Sequence, residues 1–187
     1  MVRLKMSAFN DLNVEEKQRM IGRSREVLVQ EEWWINVYDD AKICGALMGI
    51  DIDEIYFSGF ASQGDGANFT GHYSYKKESI KKIKEYAPTD AILHQIAIEL
   101  SQVQKPTCYG LDATIGRQGH YSHEHSTIIT ITDIHNEVPP SYERQTALST
   151  TLRDFMCWIY SSLEKEYNYL TSDEVVSDWL ANNYVEN

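Results

Sequence analysis

The sequence predicts an α+β fold: an antiparallel sheet of about four strands, paired as two hairpins and covered by amphipathic helices. Two observations carry that prediction. Segments near residues 51–60, 67–75, 111–115 and 127–131 alternate side-chain character with period two, as half-buried strands do. Around them apolar residues recur at spacings of three and four, the pattern of helices that bury one face. With 187 residues, 42% of them hydrophobic, the chain suffices for one substantial core and is cramped for two. The expected organisation is therefore a single α+β domain over residues 1–187.

Asn13 and Glu16 have capping-box spacing and start a first helix, expected to reach about Glu31. A second helix places Trp34, Val37, Tyr38, Ala41, Gly45 and Met48 on one face, and Gly49 stops it. From Asp51 the period becomes two: Ile55, Phe57 and Gly59 alternate with Tyr56, Ser58 and Phe60. Ala67, Phe69, Gly71 and Tyr73 form the partner strand, and the short connection makes an antiparallel hairpin the natural pairing. A lysine-rich helical piece ends at Pro88, and Thr89 and Asp90 open a helix with Leu93, Ile96, Ala97, Leu100 and Val103 inward, ended by Pro106. Leu111, Ala113 and Ile115, then Thr127, Ile129 and Ile131, give the second strand pair, with Gly116 and Gly119 between. After Pro139-Pro140 the longest helix aligns Leu148, Leu152, Phe155, Ile159, Leu163 and Tyr167. Thr171 with Glu174 is expected to cap a final helix from about Val175 to Tyr184.

Composition narrows the function classes. No apolar run approaches the ~20 residues that span a bilayer, and the start, MVRLKMSAFNDLNVEEK, has no apolar region of the kind a secretory signal needs. These features predict a soluble, cytoplasmic protein with no membrane partner. Cys44, Cys108 and Cys157 are odd in number and far apart, which favours free, mostly buried thiols over disulfides or a structural zinc site. The net charge is −11, with residues 1–25 contributing +3 and the remainder −14. Such a surface repels phosphate backbones and disfavours direct nucleic-acid binding. It serves solubility, or it meets a basic protein partner, such as a nucleic-acid-binding protein, by electrostatic complementarity.

Four stretches carry a resemblance: IYFSGFASQGDGANFTGHY, YAPTDAILHQIAIEL, GHYSHEHS and LRDFMCWIYSSLEKEYNYLTSDE. In this order, over roughly residues 33–184, the chain resembles a family of uncharacterised phage and prophage proteins, some labelled antitoxins of toxin–antitoxin stability systems. The resemblance implies a mobile-element accessory protein, of a class rich in inhibitors and decoys of host machinery. The label antitoxin does not itself imply a toxin partner, and the expected partner is a host-defence component or a toxin in the host cell cytoplasm. It supplies no catalytic residues.

The densest candidate site is the loop Ser62, Gln63, Gly64, Asp65 and Gly66. Gly64 and Gly66 admit positive φ and expose backbone N–H groups, as anion-binding nests do. Yet no P-loop or GxGxxG pattern is present, and Asp65 would repel a phosphate. The alternatives are a ligand or partner site and a turn in which Asp65 bonds local amides. Tyr121 and His123 join this loop as candidate binding residues from the second hairpin, within a cluster that runs from His120 to His125.

On a strand His123 and His125 would share one face with Glu124 on the other, and with Asp65, Asp112 or Asp133 such a pair can hold a divalent metal. The competing reading is exposed strand-end histidines. No Ser/His/Asp or Cys/His arrangement is readable and no motif implies a cofactor. Trp33, Trp34, Tyr38, Trp158, Tyr160, Tyr167, Tyr169 and Trp179 exceed what one core needs, which predicts a partly exposed aromatic surface beside the acidic C-terminal helix. The expected function is a non-enzymatic, protein-binding inhibitor or neutraliser of a host-defence or toxin protein. The alternative is a small enzyme or ligand-binding protein using the SQGDGA loop and the histidine cluster.

Overall fold

The computed structural model describes residues 9–136 and 138–183; the basic residues up to Arg3 and Lys5 and the expected helix end at Tyr184 lie outside the described residues. Within them the chain is an α+β fold of four strands and six α-helices. The strands are β1 (Ile50–Phe57), β2 (Ala67–Tyr73), β3 (Leu111–Arg117) and β4 (Thr127–Asp133), in an antiparallel sheet of order β1-β2-β3-β4. The helices are α1 (Val14–Ser24), α2 (Ile35–Met48), α3 (Ser79–Tyr86), α4 (Ala91–Gln104), α5 (Tyr142–Leu170) and α6 (Asp173–Asn183). No helix among the described residues is long and apolar enough to cross a membrane.

The chain divides into two compact units, residues 36–162 and residues 1–35 with 163–187. In the first, Ile50, Ile52 and Ile55 all face the core although their spacing breaks strict alternation. The register explains this: Ile52 pairs Gly71 and Glu54 pairs Thr70, so Asp53 is an extra, bulged residue that returns Ile55 to the inner face. Phe69, Tyr73, Leu111, Ala113, Ile115 and Ile131 complete the inner face of the sheet. Against it lie Met48 of α2, Ile83 of α3, Ile96 and Leu100 of α4 and Leu152 and Phe155 of α5, with Phe69 and Phe155 edge to face at 5.9 Å. Asp90 caps α4 with one carboxylate oxygen, which accepts from Ile92 and Leu93 N–H, and its other oxygen accepts from Trp158 Nε1 at 2.8 Å. That second bond lets the buried indole satisfy its donor.

In the second unit, the capping box is realised: Asn13 accepts from Glu16 N–H at 3.0 Å and Glu16 accepts from Asn13 N–H at 3.2 Å. Helix α1 ends earlier than expected, at Ser24, and residues Arg25–Val29 tighten into a 3-10 helix. Arg25 there donates to Thr171 O and to the Asp173 carboxylate. Phe9, Ile21, Val176 and Leu180 form the core of this unit, with Trp179 packed on it. The cap of α6 is Ser172, whose hydroxyl accepts from Val175 N–H, and not Thr171, whose hydroxyl donates back to Tyr167 O at 2.8 Å. That i−4 bond ties Thr171 to the end of α5.

Burial pushes the Tyr73 and Tyr38 hydroxyls and the Cys44 thiol up, each to about 12, with Asp40 and Asp90 adding to the effect at Cys44. These groups stay neutral in the folded protein while an unfolded tyrosine ionises near pH ~10. Between the unfolded and folded values the unfolded state binds fewer protons, so the stabilisation is fully present below about pH 10 for the two tyrosines and below about pH 9 for Cys44, and is lost as pH rises toward 12. Urea midpoints should therefore fall steeply above pH ~10, and Tyr73→Phe should flatten that fall. An equally steep fall in the Tyr73→Phe protein would refute the assignment.

Candidate functional site

β1 ends at Phe57, before the Gly59 and Phe60 that its period suggested, and residues 58–66 connect it to β2. Ser58 N–H donates to Gly66 O at 3.1 Å and closes the base of this loop. Phe60 lies outside the strand, stacked on Phe57 (6.1 Å) and tilted against Tyr160 (5.5 Å), while the Tyr160 hydroxyl donates to Gly59 O at 3.2 Å. Asp65 folds back on its own loop: one carboxylate oxygen accepts from Ala61 N–H at 2.9 Å and from Ser62 N–H at 2.7 Å. Its N–H donates to Ser62 O at 3.1 Å. Asp65 is thus the residue that holds the turn, as Asx side chains do, and Ser62 and Gln63 are left exposed at the tip.

A second loop meets the first. β2 pairs β3 only from Gly71 to Tyr73, so residues 67–69 have no β3 partner. The segment after β3 takes that place: Asn68 Nδ2 donates to His123 O at 3.2 Å. A side chain on Gly66 would lie 3.0 Å from Ser122 O and 3.1 Å from His123 Cα, so glycine permits this close approach. Arg117 fixes the second loop from below. Its guanidinium lies 4.4 Å from the centre of the Tyr56 ring and donates to His120 O at 2.9 Å and to Ser122 Oγ at 3.5 Å. The Tyr56 hydroxyl bonds the Glu54 carboxylate, and this bond is the first cause of its raised pKa.

Between the loops lies an open concavity of about 540 Å³ lined by Gln63, Gly64, Tyr121, His123 and Ser126. The structure so brings together four of the sequence candidates, with Tyr121 70% exposed at the rim. Gly66 is buried beneath them, while Ser62 and Asp65 belong to the turn that presents Gln63. Among the described residues, two buried polar atoms near this end of the sheet, Ser58 Oγ and Asn68 Oδ1, find no hydrogen-bond partner.

The histidines differ from expectation. Glu124–Ser126 is a turn of 3-10 helix, so the period-two argument that set Glu124 on the opposite face fails. His123 Nδ1 accepts from His125 N–H at 3.2 Å, the two rings stack at 5.3 Å, and the Glu124 carboxylate lies 3.1 Å from His123 and 3.7 Å from His125. The proposed carboxylate partners are elsewhere. Asp112 faces His72 at 3.8 Å, and Asp133 accepts from Asn136 Nδ2 and, as the smaller effect, from His135 N–H, which hold its carboxyl below the usual range. Both lie at the end of the β3–β4 ladder opposite Arg117 and Thr127. Among the described residues, no group of three or more His, Cys, Asp or Glu side chains is arranged to hold a metal ion.

One further expectation is corrected: Cys108 and Cys157 are exposed, and only Cys44 is buried. The eight aromatics are partly exposed: Tyr169 is exposed, Trp158 is buried, and ring–ring packing such as Trp33 on Tyr167 (5.7 Å) leaves the other six half-buried. The residues of this candidate site that sequence reasoning missed are Ser126, which lines the concavity, and Arg117 and Asn68, which hold its second loop. An asparagine inside a strand, where it is depleted, was the available signal for Asn68.

Residues 33–173 match the family model described as a domain of unknown function, DUF8835. No curated protein matches the chain, and no solved structure matches it.

Proposed function

We propose that this chain, which belongs to the DUF8835 family, is a non-catalytic binding module that engages a protein partner through the two-loop platform at the end of its sheet. The observation that carries the reading is the convergence of Gln63, Gly64, Tyr121, His123 and Ser126 on one open concavity. Both loops are held before any partner arrives: Asp65 ties the first, and Arg117 and Asn68 tie the second. Such pre-organisation lowers the ordering cost of binding, and an exposed tyrosine is the residue type that anchors protein interfaces. The titratable side chains nearest the concavity are already engaged, Asp65 with backbone amides and His123 Nδ1 with His125 N–H, which favours contact over catalysis. The net charge of −11 suits a basic partner. The resemblance to phage and prophage proteins makes a host-defence component or a toxin the partner class to try first.

A second reading, a small polar ligand at the same end of the sheet, is favoured by the unpaired Ser58 Oγ and Asn68 Oδ1, since buried polar groups ordinarily find partners.

The test is affinity capture with the wild-type chain beside Tyr121→Ala, Gln63→Ala and Asp65→Ala. Tyr121→Ala is expected to weaken capture by about 2 kcal/mol or more with an unchanged melting temperature, and Gln63→Ala less so. Asp65→Ala is expected to cost ~1–2 kcal/mol of stability by releasing two amides. Identical capture by all four proteins would sink the platform reading.

A further inference from the structure

The two edges of the sheet are built differently. The β1 edge carries exposed Asp51, Asp53 and Glu54 and a bulge between Ile52 and Glu54. Charge and kinks of this kind keep a foreign strand from pairing. β4 has no bulge and carries charge only at its last residue, Asp133: Thr127 to Thr132 is uncharged, β-branched throughout, and runs against β3 in unbroken register.

Alternation decides which of its backbone groups face outward. Gln118 N–H donates to Ser126 O and Ile134 N–H to Gly110 O at the two ends of the ladder. With regular antiparallel alternation, Ile128, Thr130 and Thr132 therefore bond β3, while Thr127, Ile129 and Ile131 direct their N–H and C=O away from it. Asp133 O accepts from Asn136 N–H, so the turn closes the edge at that end. Exposed apolar side chains gather along the same strand and the segment after it: Ile128, Ile134, Val138 and Tyr142.

We propose that the β4 edge pairs with the β4 edge of a second copy of this chain, antiparallel about a two-fold axis, joining two four-stranded sheets into one. The strand is complementary to itself. Centring the pair on Ile129 uses only the three outward residues, with Thr127 of each copy opposite Ile131 of the other. Ile128 then meets Thr130 on the exposed face, and such β-branched cross-strand pairs stabilise sheets. Charge does not oppose the pairing along the ladder: Thr127 to Thr132 carries no charged side chain, Arg117 of β3 turns away from β4 onto the Tyr56 ring, and Asp112 faces His72 of β2. A parallel pairing would set Asp133 against Asp133. The contact is isologous, as closed dimers require.

Sedimentation velocity on the full chain, run over a concentration series at low and high salt, reads the association. A reversible dimer is expected, tighter at high salt because screening relieves repulsion between copies that each carry −11. Amide hydrogen exchange adds a residue-level readout: Ile129 and Ile131 N–H should be protected at dimer concentrations and lose protection on dilution. Ile128→Lys and Thr130→Lys, both at exposed positions, should weaken association by roughly tenfold or more. A chain that stays monomeric at high concentration and high salt would overturn the proposal, and so would a dimer whose Ile129 and Ile131 amides exchange as fast as in the monomer. The exchange measurement needs only the wild-type protein, so the outcome does not depend on either lysine variant folding.

Discussion

Gln104→Leu is expected to destabilise the fold by about 3–5 kcal/mol, although it replaces one fully buried side chain by another of similar size. β2 ends at Tyr73, which pairs Ala113, so Leu111 has no strand on that side. The Gln104 amide stands in for the missing strand: Leu111 N–H donates to Gln104 Oε1 at 3.0 Å, and Gln104 Nε2 donates to Leu111 O at 2.6 Å. The same Nε2 lies 3.3 Å from the Tyr73 hydroxyl. Leucine would leave a buried N–H and a buried C=O without partners, each costing ~1–3 kcal/mol, and would deprive the tyrosine as well. The loss should appear as a lower urea midpoint with an unchanged slope. A loss under about 1 kcal/mol would mean that β3 relaxes to find other partners and that Gln104 is dispensable.

Gln104 also marks where the sequence stops being informative. Its neighbours Ile96, Ala97 and Leu100 follow helical spacing, and that spacing places them inward correctly. Nothing local says that a glutamine at the end of the same helix reaches a strand seven residues later. Local chemistry was legible wherever donor and acceptor are close in sequence, as in Asn13 with Glu16 and Asp90 with Leu93. The hairpins were legible because burial on one face imposes period two. The bulge at Asp53 was not, since an extra residue keeps apolar positions only after the phase has shifted.

The site followed the same division. Glycine density located the loop at residues 62–66, though not its start at residue 58, and histidine density located the one facing it. Which polar group looks outward depended on the Ala61 and Ser62 amides, which turn Asp65 inward and leave Gln63 at the tip. That depends on three-dimensional closure, and residue type alone does not encode it.

Gly71→Ala is expected to remove comparable stability, about 3–5 kcal/mol, and partner binding with it. Gly71 sits opposite Ile52 beside the Asp53 bulge with φ 154°, and a Cβ there would fall 2.0 Å from Asp51 O and 3.1 Å from its carbonyl carbon. Both atoms are backbone, so no side chain can rotate aside and β1 must move away from β2. Those two strands carry the loop of residues 58–66, so a forced shift in their register displaces Gln63 and Gly64 from Tyr121 and His123. Gly22→Ala in the exposed part of α1, where nothing lies within 4 Å, is the control. It should stabilise by ~0.5–1 kcal/mol, because alanine loses less backbone entropy on forming a helix. Calorimetric melting of both variants, with capture of the partner by Gly71→Ala, separates a steric cause from a general cost of losing glycine. If Gly71→Ala melts within a degree or so of the parent, by the usual conversion of small free-energy changes, the hairpin is not held by this contact and the two loops must owe their alignment to Asn68 and Arg117 alone.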